Sequence, residues 1–210
     1  MGTEVLILAS ASSARHSLLE QAGISHRSIV SGVDEEEFEY SSASNLVKSL
    51  SLSKAKSVQL KLCKQELNCF SQEIHSIIGC DSVFVFEGEI FGKPRDERQA
   101  IDRWKRMSSK SGVLMTGHAF LYRPLLSAGN RDIFFNGLIN EVITTRVEFS
   151  ELTSEEIINY VSTGEPLQCA GGFALEGKGA MLINKIDGCY SNVIGLSLPW
   201  LRKAFGKACC

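Results

Sequence analysis

A continuous apolar run at residues 5–9 (VLILA), followed at once by a small polar segment, is the feature that most constrains the fold. Apolar residues at every position are typical of a strand that is buried on both faces of a sheet covered by helices. The polar residues 10–13 lead into a predicted helix at about residues 14–22, with Gly23 as its C-terminal stop. A strand, a short loop and a helix N-terminus in this order place backbone N–H groups where an anion can bind.

The rest of the chain alternates between predicted strands and helices, which indicates an α/β fold. We predict further strands at residues 28–33, 77–80, 113–122, 142–149 and 180–186, and a hairpin of residues 83–86 and 89–91 around Gly88. Helices are predicted at residues 44–67, 96–107 and 198–205, and a capping box of Thr153 and Glu156 opens another that ends at Gly164. Loops are expected at residues 124–140 and in the glycine-rich residues 171–179.

Composition limits the classes of function. The chain has 210 residues, enough for one full-sized α/β domain over residues 1–210 or for two small lobes around a shared cleft. The net charge of -2 gives no support for a nucleic-acid or membrane partner. Seven cysteines without any C-x-x-C pair, and with no histidines at zinc-ligand spacing, indicate thiols in a reducing compartment. No positive charge precedes the first apolar run, so a signal peptide is disfavoured and we expect a cytoplasmic protein.

Three basic positions could bind phosphate. Ser10, Ser12 and Arg15 lie at the predicted start of the first helix, where hydroxyls, N–H groups and a guanidinium suit an anion. Pro94 stiffens the turn that carries Lys93, and Lys54 lies within the long second helix. Each has an ordinary alternative: an N-cap with an exposed arginine, a simple turn, and a surface lysine.

Two carboxylates follow predicted strands. Glu35 lies with Asp34 in an acidic run after residues 28–33, and Asp81 directly follows residues 77–80. Carboxylates at strand ends often hold Mg²⁺ or Mn²⁺ against substrate phosphates, although most acidic runs are only solvated surface and Asp81 could be a turn residue. With the basic positions they supply what phosphoanhydride hydrolysis needs: metal ligands, a carboxylate to activate water and cations for the leaving group.

Six segments in order resemble the Maf family. They are LASASSARHSLLEQAGI, SGVDEE, LSLSKA, GCDSVFVFEGEIFGKPRD, VEFSELTSEEIINYVSTGEPLQCAGGFALEG and IDGCYSNVIGLSLP. The resemblance implies an elongated, two-lobed mixed β-sheet flanked by helices with a central nucleotide cleft, as in inosine triphosphate pyrophosphatases. It also implies hydrolysis of nucleoside triphosphates to the monophosphate and pyrophosphate, with Mg²⁺, Mn²⁺ or Co²⁺, in a house-cleaning role. Members are often dimers, so we expect a homodimer.

Site residues carry over from this resemblance by position. It implies that Asp81 is catalytic and, with Glu35, a metal ligand. It implies phosphate contacts for the residues Ser10, Ser12, Arg15, Lys54 and Lys93. Ser82 and Glu176 are assigned to base specificity.

The chain departs from the family pattern in places. Ser13 and Ala14 replace the usual proline and first arginine, Ser82 replaces threonine and Ser197 replaces proline. Glu176 stands where the subgroup acting on dTTP and UTP has glutamine. A carboxylate only accepts hydrogen bonds, so it suits the N–H groups of a guanine edge. Cys169 and Phe173 also look closer to the subgroup acting on 7-methylguanosine triphosphate, whereas Ala14 fits neither.

Two other functions compete with hydrolysis. The resemblance also leaves open a nucleotide-binding regulator of septum formation that uses the same cleft without significant catalysis. A nucleic-acid-binding protein is the weakest hypothesis, because the chain has no basic stripe interleaved with aromatic residues. Release of pyrophosphate from a panel of nucleotides would separate these functions.

Overall fold

The computed structural model describes residues 5–35, 41–64, 74–123 and 135–208. The strands are β1 (Val5–Leu8), β2 (His26–Ser28), β3 (Ile74–Phe86), β4 (Glu89–Phe91), β5 (Ser111–Tyr122), β6 (Gly137–Phe149) and β7 (Ile183–Asp187). The helices are α1 (Ser13–Gln21), α2 (Ala43–Cys63), α3 (Glu97–Met107), α4 (Ser154–Val161), α5 (Tyr190–Ile194) and α6 (Leu198–Ala208). Short 3₁₀ turns at Glu165–Gln168, Ala170–Gly172 and Lys178–Leu182 connect α4 to β7. None of the helices in these ranges combines the length and apolar character needed to cross a membrane.

The strands form one mixed sheet in the order β2-β1-β3-β5-β6-β7, with β4 also paired to β3. The first three strands of this order are parallel and the remaining pairs are antiparallel. This architecture confirms the predicted mixed α/β fold.

One edge of β3 is interrupted, and this interruption locates the candidate site. On the side away from β5, β1 pairs with β3 between Ile74 and Ile78, whereas β4 pairs only between Phe84 and Phe86. Within the described ranges, residues 79–83 therefore have no strand neighbour on that side. We call this interval the β3 notch. It holds Asp81 and Ser82, whose side chains point to opposite faces because side chains alternate along a strand.

Helix α2 packs closely on the face that carries Asp81. A Cβ atom on Gly79 would lie 2.1 Å from the Ser51 carbonyl oxygen, and one on Gly117 would lie 2.0 Å from that of Val47. No side chain larger than hydrogen fits at either position without moving the helix backbone. The two glycines thus allow α2 to approach β3 and β5 directly, and this approach brings Lys54 to the sheet.

The hydrophobic core occupies both faces of the sheet and both ends of its long strands. Under α2 the apolar residues of β1 and β3 pack with Ala55, Val58 and Leu62. On the opposite face, residues of α1 and α6 pack around Ile78 and Phe120. Beyond the β3 notch, α3 and α4 cover an aromatic cluster that includes Phe84, Trp104 and Phe149. The notch therefore lies between the first two clusters, on the two faces of the sheet, and the aromatic cluster beyond it.

Several local predictions are confirmed. Gly23 follows α1 with a φ of 68°, and Thr153 and Glu156 form the predicted capping box. The hairpin between β3 and β4 turns through Glu87 and Gly88, both with positive φ, as a two-residue turn requires.

Other predictions are wrong. The second strand is His26–Ser28 rather than residues 28–33, so Glu35 lies in a loop well beyond it. Residues 77–80 are part of a continuous strand that runs to Phe86, because β5 pairs along almost its whole length, and Asp81 lies inside a strand rather than after one.

The other errors concern element ends. Residues 180–182 are a 3₁₀ turn rather than the start of a strand. Residues 137–140 belong to β6 rather than to a loop. The rest of that predicted loop up to residue 134, and the end of the second helix beyond residue 64, lie outside the described residues.

Candidate functional site

Arg15 is fixed on one face of the β3 notch. Ser12 caps α1 by accepting a hydrogen bond from the Arg15 backbone N–H at 3.3 Å, which places Arg15 on the first turn. Its Nε donates to the Gly195 carbonyl oxygen at 2.8 Å, and its two terminal nitrogens donate to the hydroxyls of Ser10 at 3.2 Å and Ser82 at 3.0 Å. The guanidinium is therefore held at once by the loop before α1, by β3 and by the segment after α5.

Lys54 lies on the other face, between two carboxylates. Its Nζ is 2.6 Å from Asp81 Oδ1 and 2.6 Å from Glu35 Oε1. Lys54 and Asp81 are buried, with 8% and 6% of their surfaces exposed, so the alternative of a surface lysine is wrong. Burial raises the pKa of Asp81, and the charges of Lys54 and Arg15 partly oppose this rise.

Arg15 and Lys54 contact consecutive residues of β3. Asp81 contacts Lys54 on the α2 face, and Ser82 contacts Arg15 on the opposite face. Six of the nine predicted site residues thus form two linked sets at the notch: Ser10, Arg15 and Ser82, and Glu35, Lys54 and Asp81. Ser12 adjoins them, since its backbone N–H donates to the Ser10 hydroxyl at 3.1 Å while its own hydroxyl caps the helix.

The carboxylates of Glu35 and Asp81 are chemically suited to a divalent cation. Their oxygens already surround one positive charge, the Lys54 ammonium, and hard cations such as Mg²⁺ prefer oxygen ligands. Among the described residues there is no group of three or more potential metal ligands. Mg²⁺ is commonly held by one or two carboxylates and completed by substrate phosphates and water, so the donor set fits that kind of site.

Lys93 is exposed on the turn after β4. Arg103 of α3 holds this turn by donating to the Gly92 carbonyl oxygen at 2.7 Å, and its guanidinium lies 4.7 Å from the centre of the Phe91 ring. Pro94 is buried beneath the glycine-rich loop, where it lies next to Gly172. The turn that carries Lys93 is therefore anchored to the glycine-rich loop through the contact of Pro94 with Gly172.

Glu176 lies on the glycine-rich loop, not in the notch itself. Burial, together with the charges of Glu176 and Glu165, raises the pKa of the Cys169 thiol to about 11, and the charge of Lys93 opposes this rise. Lys93 and Glu176 are therefore near the same thiol. Desolvation also raises the pKa of the Glu176 carboxyl, as does the charge of Glu165, although the residue as a whole is largely exposed.

Glu165 and Tyr160 fasten the loop on both sides of Glu176. Glu165 accepts hydrogen bonds from the backbone N–H groups of Lys178 and Gly179, each at 2.9 Å, and from the Tyr160 hydroxyl at 2.6 Å. The same hydroxyl accepts from the Ala174 N–H at 3.3 Å. Burial alone would raise the pKa of Glu165, but these hydrogen bonds lower it below its usual value.

Sequence reasoning missed the residues behind the notch. Glu165 is among the quoted motifs, but only the fold shows that its carboxylate binds the loop. Thr116 and His118 carry no local signal, because an isolated threonine or histidine in a strand is most often ordinary core. His118 is fully buried, donates from Nδ1 to the Thr116 carbonyl oxygen at 3.0 Å and accepts from the Ser197 N–H at 2.9 Å.

An open mixed sheet whose interrupted strand edge carries charged groups on both faces defines an α/β protein with a charged candidate site at the β3 notch. The family model described as Maf-like protein matches residues 5–208. The chain belongs to this family, which confirms the resemblance of its six motifs.

Its similarity to curated relatives extends over nearly the whole chain. It is 51% identical over 205 residues to a protein of Prochlorococcus marinus, with 97% of each chain covered. It is 53% identical over 198 residues to one of Parasynechococcus marenigrum, with 94% of this chain and 93% of the relative covered. A Synechococcus protein is 49% identical over 198 residues, covering 93% of this chain and 98% of the relative. All three are named nucleoside triphosphate pyrophosphatase.

Proposed function

We propose that this chain is a nucleoside triphosphate pyrophosphatase, which hydrolyses the α–β phosphoanhydride bond to release a nucleoside monophosphate and pyrophosphate. The observation that carries the proposal is the β3 notch, where Lys54 contacts Asp81 on one face of the strand and Arg15 contacts Ser82 on the other. The names of the relatives support the same reaction. We further propose a cytoplasmic house-cleaning role, in agreement with the thiol form of Cys80, Cys169 and Cys189.

In the proposed mechanism Asp81 is the general base. Water attacks the α-phosphorus and gives a proton to Asp81, and the bond from that phosphorus to the bridging oxygen breaks. Lys54 contacts Oδ1 of Asp81, so Oδ2 takes the proton in this scheme. The raised pKa of Asp81 suits a base, because a carboxylate with a higher pKa accepts a proton more readily.

The basic residues stabilise the charge that develops on the leaving pyrophosphate. Arg15 would contact the phosphates from its fixed position, and Lys93 would approach them from the turn after β4. Fixed cations lower the barrier most when they need no rearrangement as the bond breaks. Glu35 and Asp81 would hold a divalent cation such as Mg²⁺, Mn²⁺ or Co²⁺, which supplies charge neutralisation at the phosphates.

The test is a product assay with purified protein. A panel of common and modified nucleoside triphosphates is incubated with Mn²⁺, and pyrophosphate and monophosphate are measured, with and without EDTA. We expect equal amounts of both products and loss of turnover with EDTA. Release of diphosphate and orthophosphate would show that a different bond is cut. Tight binding of nucleotides without turnover would instead favour the regulator hypothesis.

A further inference from the structure

A series of hydrogen bonds extends from Arg15 into the protein interior and becomes fully buried at Thr116. Arg15 donates to the Ser82 hydroxyl, which lies 2.9 Å from the Thr116 hydroxyl, and Thr116 donates to the Asn192 backbone carbonyl oxygen at 3.2 Å. Ser82 and Thr116 are direct cross-strand neighbours on β3 and β5. The series thus links α1, two central strands and α5.

The donor and the acceptor of each hydrogen bond in this series are determined by the two groups at its ends, the Arg15 guanidinium and the Asn192 carbonyl oxygen. A guanidinium only donates and a carbonyl oxygen only accepts. The single hydroxyl proton of Thr116 is directed to Asn192, so Ser82 must donate to Thr116. Ser82 then presents a lone pair to Arg15, and consecutive hydrogen bonds of the same direction polarise and strengthen one another.

Thr116 cannot touch a substrate. It has no exposed surface, and neither does Asn192, whose side-chain amide donates to the Ile143 carbonyl and the Thr145 hydroxyl, each at 3.1 Å. The backbone of Thr116 is held as well, by the neutral ring of His118. An effect of Thr116 on the reaction must therefore pass through its hydrogen-bond partners, and of these the Ser82 hydroxyl contacts Arg15 directly.

We infer that Thr116 is a positioning residue for Arg15, and this inference rests on the proposed function. Three of the five N–H groups of Arg15 are used by Gly195, Ser10 and Ser82. One N–H on each terminal nitrogen is left over for a bidentate contact with phosphate oxygens. Thr116 sets the Ser82 lone pair toward Arg15, and this orients the guanidinium plane before the nucleotide binds.

The test compares Thr116→Val, which keeps the shape and removes the hydroxyl, with Thr116→Ser, which keeps the hydroxyl. We expect Thr116→Val to lower kcat/KM by about 10-fold, the factor typical of one lost buried hydrogen bond. Thr116→Ser should stay within about twofold of the parent chain, because its hydroxyl can restore the bond. Thermal unfolding of both variants is measured alongside, and a purely structural role would make activity follow stability rather than the hydroxyl.

A double-mutant cycle shows whether the effect passes through Arg15. In an Arg15→Ala background, Thr116→Val should cause no further loss of kcat/KM, because the group that it positions is absent. The same loss in both backgrounds, or unchanged kcat/KM in Thr116→Val, would overturn the inference. If Thr116→Val does not fold, Ser82→Ala breaks the same series and should show the same dependence on Arg15.

Failure of the proposed function would look different. The unmodified chain would then release no pyrophosphate from any nucleotide. Thr116→Val should in that case still weaken binding of a non-hydrolysable triphosphate in calorimetric titration, and equal affinity would refute the positioning role by itself.

Discussion

The two cations of the β3 notch are held in chemically opposite ways. Arg15 contacts two hydroxyls and a carbonyl oxygen, all neutral acceptors, and no carboxylate of the described residues lies within 4 Å of it. Lys54 lies 2.6 Å from each of two carboxylates. Among the described residues, Arg15 is thus oriented by neutral groups, whereas Lys54 is in direct contact with two carboxylates.

This difference separates the tasks of the two faces. An arginine that is fixed by neutral groups keeps its charge for an incoming phosphate chain. A lysine between carboxylates prevents their mutual repulsion, since like charges that share a site disfavour ionisation of both. In the proposed site Arg15 therefore binds substrate, and Lys54 keeps Asp81 and Glu35 close together until a divalent cation and phosphates arrive.

The largest effect is expected at Asp81, on the face of β3 that contacts Lys54. Asp81→Asn keeps the shape of the side chain and removes the base, so kcat should fall by ~10²-fold or more while nucleotide binding by Arg15 survives. Turnover and calorimetric titration with a non-hydrolysable triphosphate measure the two quantities. Asp102→Asn, which makes the same change at an exposed position on α3, is the matched control. Near-normal turnover in Asp81→Asn would dismiss Asp81 as the base and make Glu35 the next candidate.

The second prediction concerns the stability of the protein at low pH, which depends on His118, a buried residue near Arg15. Burial, together with the charge of Arg15, lowers the pKa of His118 from 6.5 to about 3. Between these values the unfolded chain binds a proton that the folded chain does not, so stability falls as the pH decreases from 6.5 toward 3. From pH 7 to pH 4 this single group should remove about 3 kcal/mol of stability.

Urea unfolding across this pH range measures the slope. His118→Phe removes the titrating group, so its free energy of unfolding should depend less steeply on pH even if the variant is less stable at pH 7. His75→Phe, the same change at an exposed position on β3, is the control variant. Equal slopes in His118→Phe and the parent chain would mean that His118 is not held neutral beneath the Arg15 face.

The third prediction disturbs the Lys54 face alone. A Cβ at Gly117 would overlap the backbone of Val47, so Gly117→Ala must displace α2 and with it Lys54. Overpacking of this kind typically costs ~1–3 kcal/mol of stability. We expect a lower urea midpoint, and a larger loss in kcat than in nucleotide affinity, because Arg15 lies on the other face.

The matched control for Gly117→Ala is Gly206→Ala. A Cβ at Gly206, within α6, would meet nothing within 4 Å. The control should be neutral or slightly stabilising, as alanine is favoured in helices. A Gly117→Ala variant as stable and active as this control would show that α2 tolerates the displacement.

Local signals explain which parts of the fold were predictable. The capping box at Thr153, the turn at Gly88 and the stop at Gly23 depend on a few neighbouring residues, and all three were predicted. The extent of β3 was not, because Asp81 interrupts its apolar pattern and only pairing with β5 keeps that segment extended.

The motif residues of the candidate site could be predicted from the sequence, but their arrangement in the fold could not. The resemblance named Lys54 and Asp81, but their burial and mutual contact depend on the close packing of Gly79 and Gly117 against α2, whose residues are far from both glycines in the sequence. The position of Thr116 behind Ser82 depends on strand register, which a single sequence does not reveal.

The smallest effect is expected away from both faces of the notch, at Glu176. Its carboxylate only accepts hydrogen bonds, whereas a glutamine amide also donates, so Glu176→Gln should shift preference from guanine nucleotides toward dTTP and UTP. A contact of this kind to a base edge is worth ~1–3 kcal/mol, which corresponds to a change of about ten-fold or more in the ratio of kcat/KM values.

The loop geometry makes this a clean substitution. Glu165 and Tyr160 fasten the backbone on both sides of Glu176, so the amide should occupy the position of the carboxylate. Glu155→Gln, at an exposed position on α4, makes the same change elsewhere and should leave the ratio unaltered. Since Arg15 and Lys54 are not affected, kcat for the best substrate of each variant should remain similar. Unchanged relative rates in Glu176→Gln would remove this residue from base recognition and leave the neighbouring Cys169 as the next position to test.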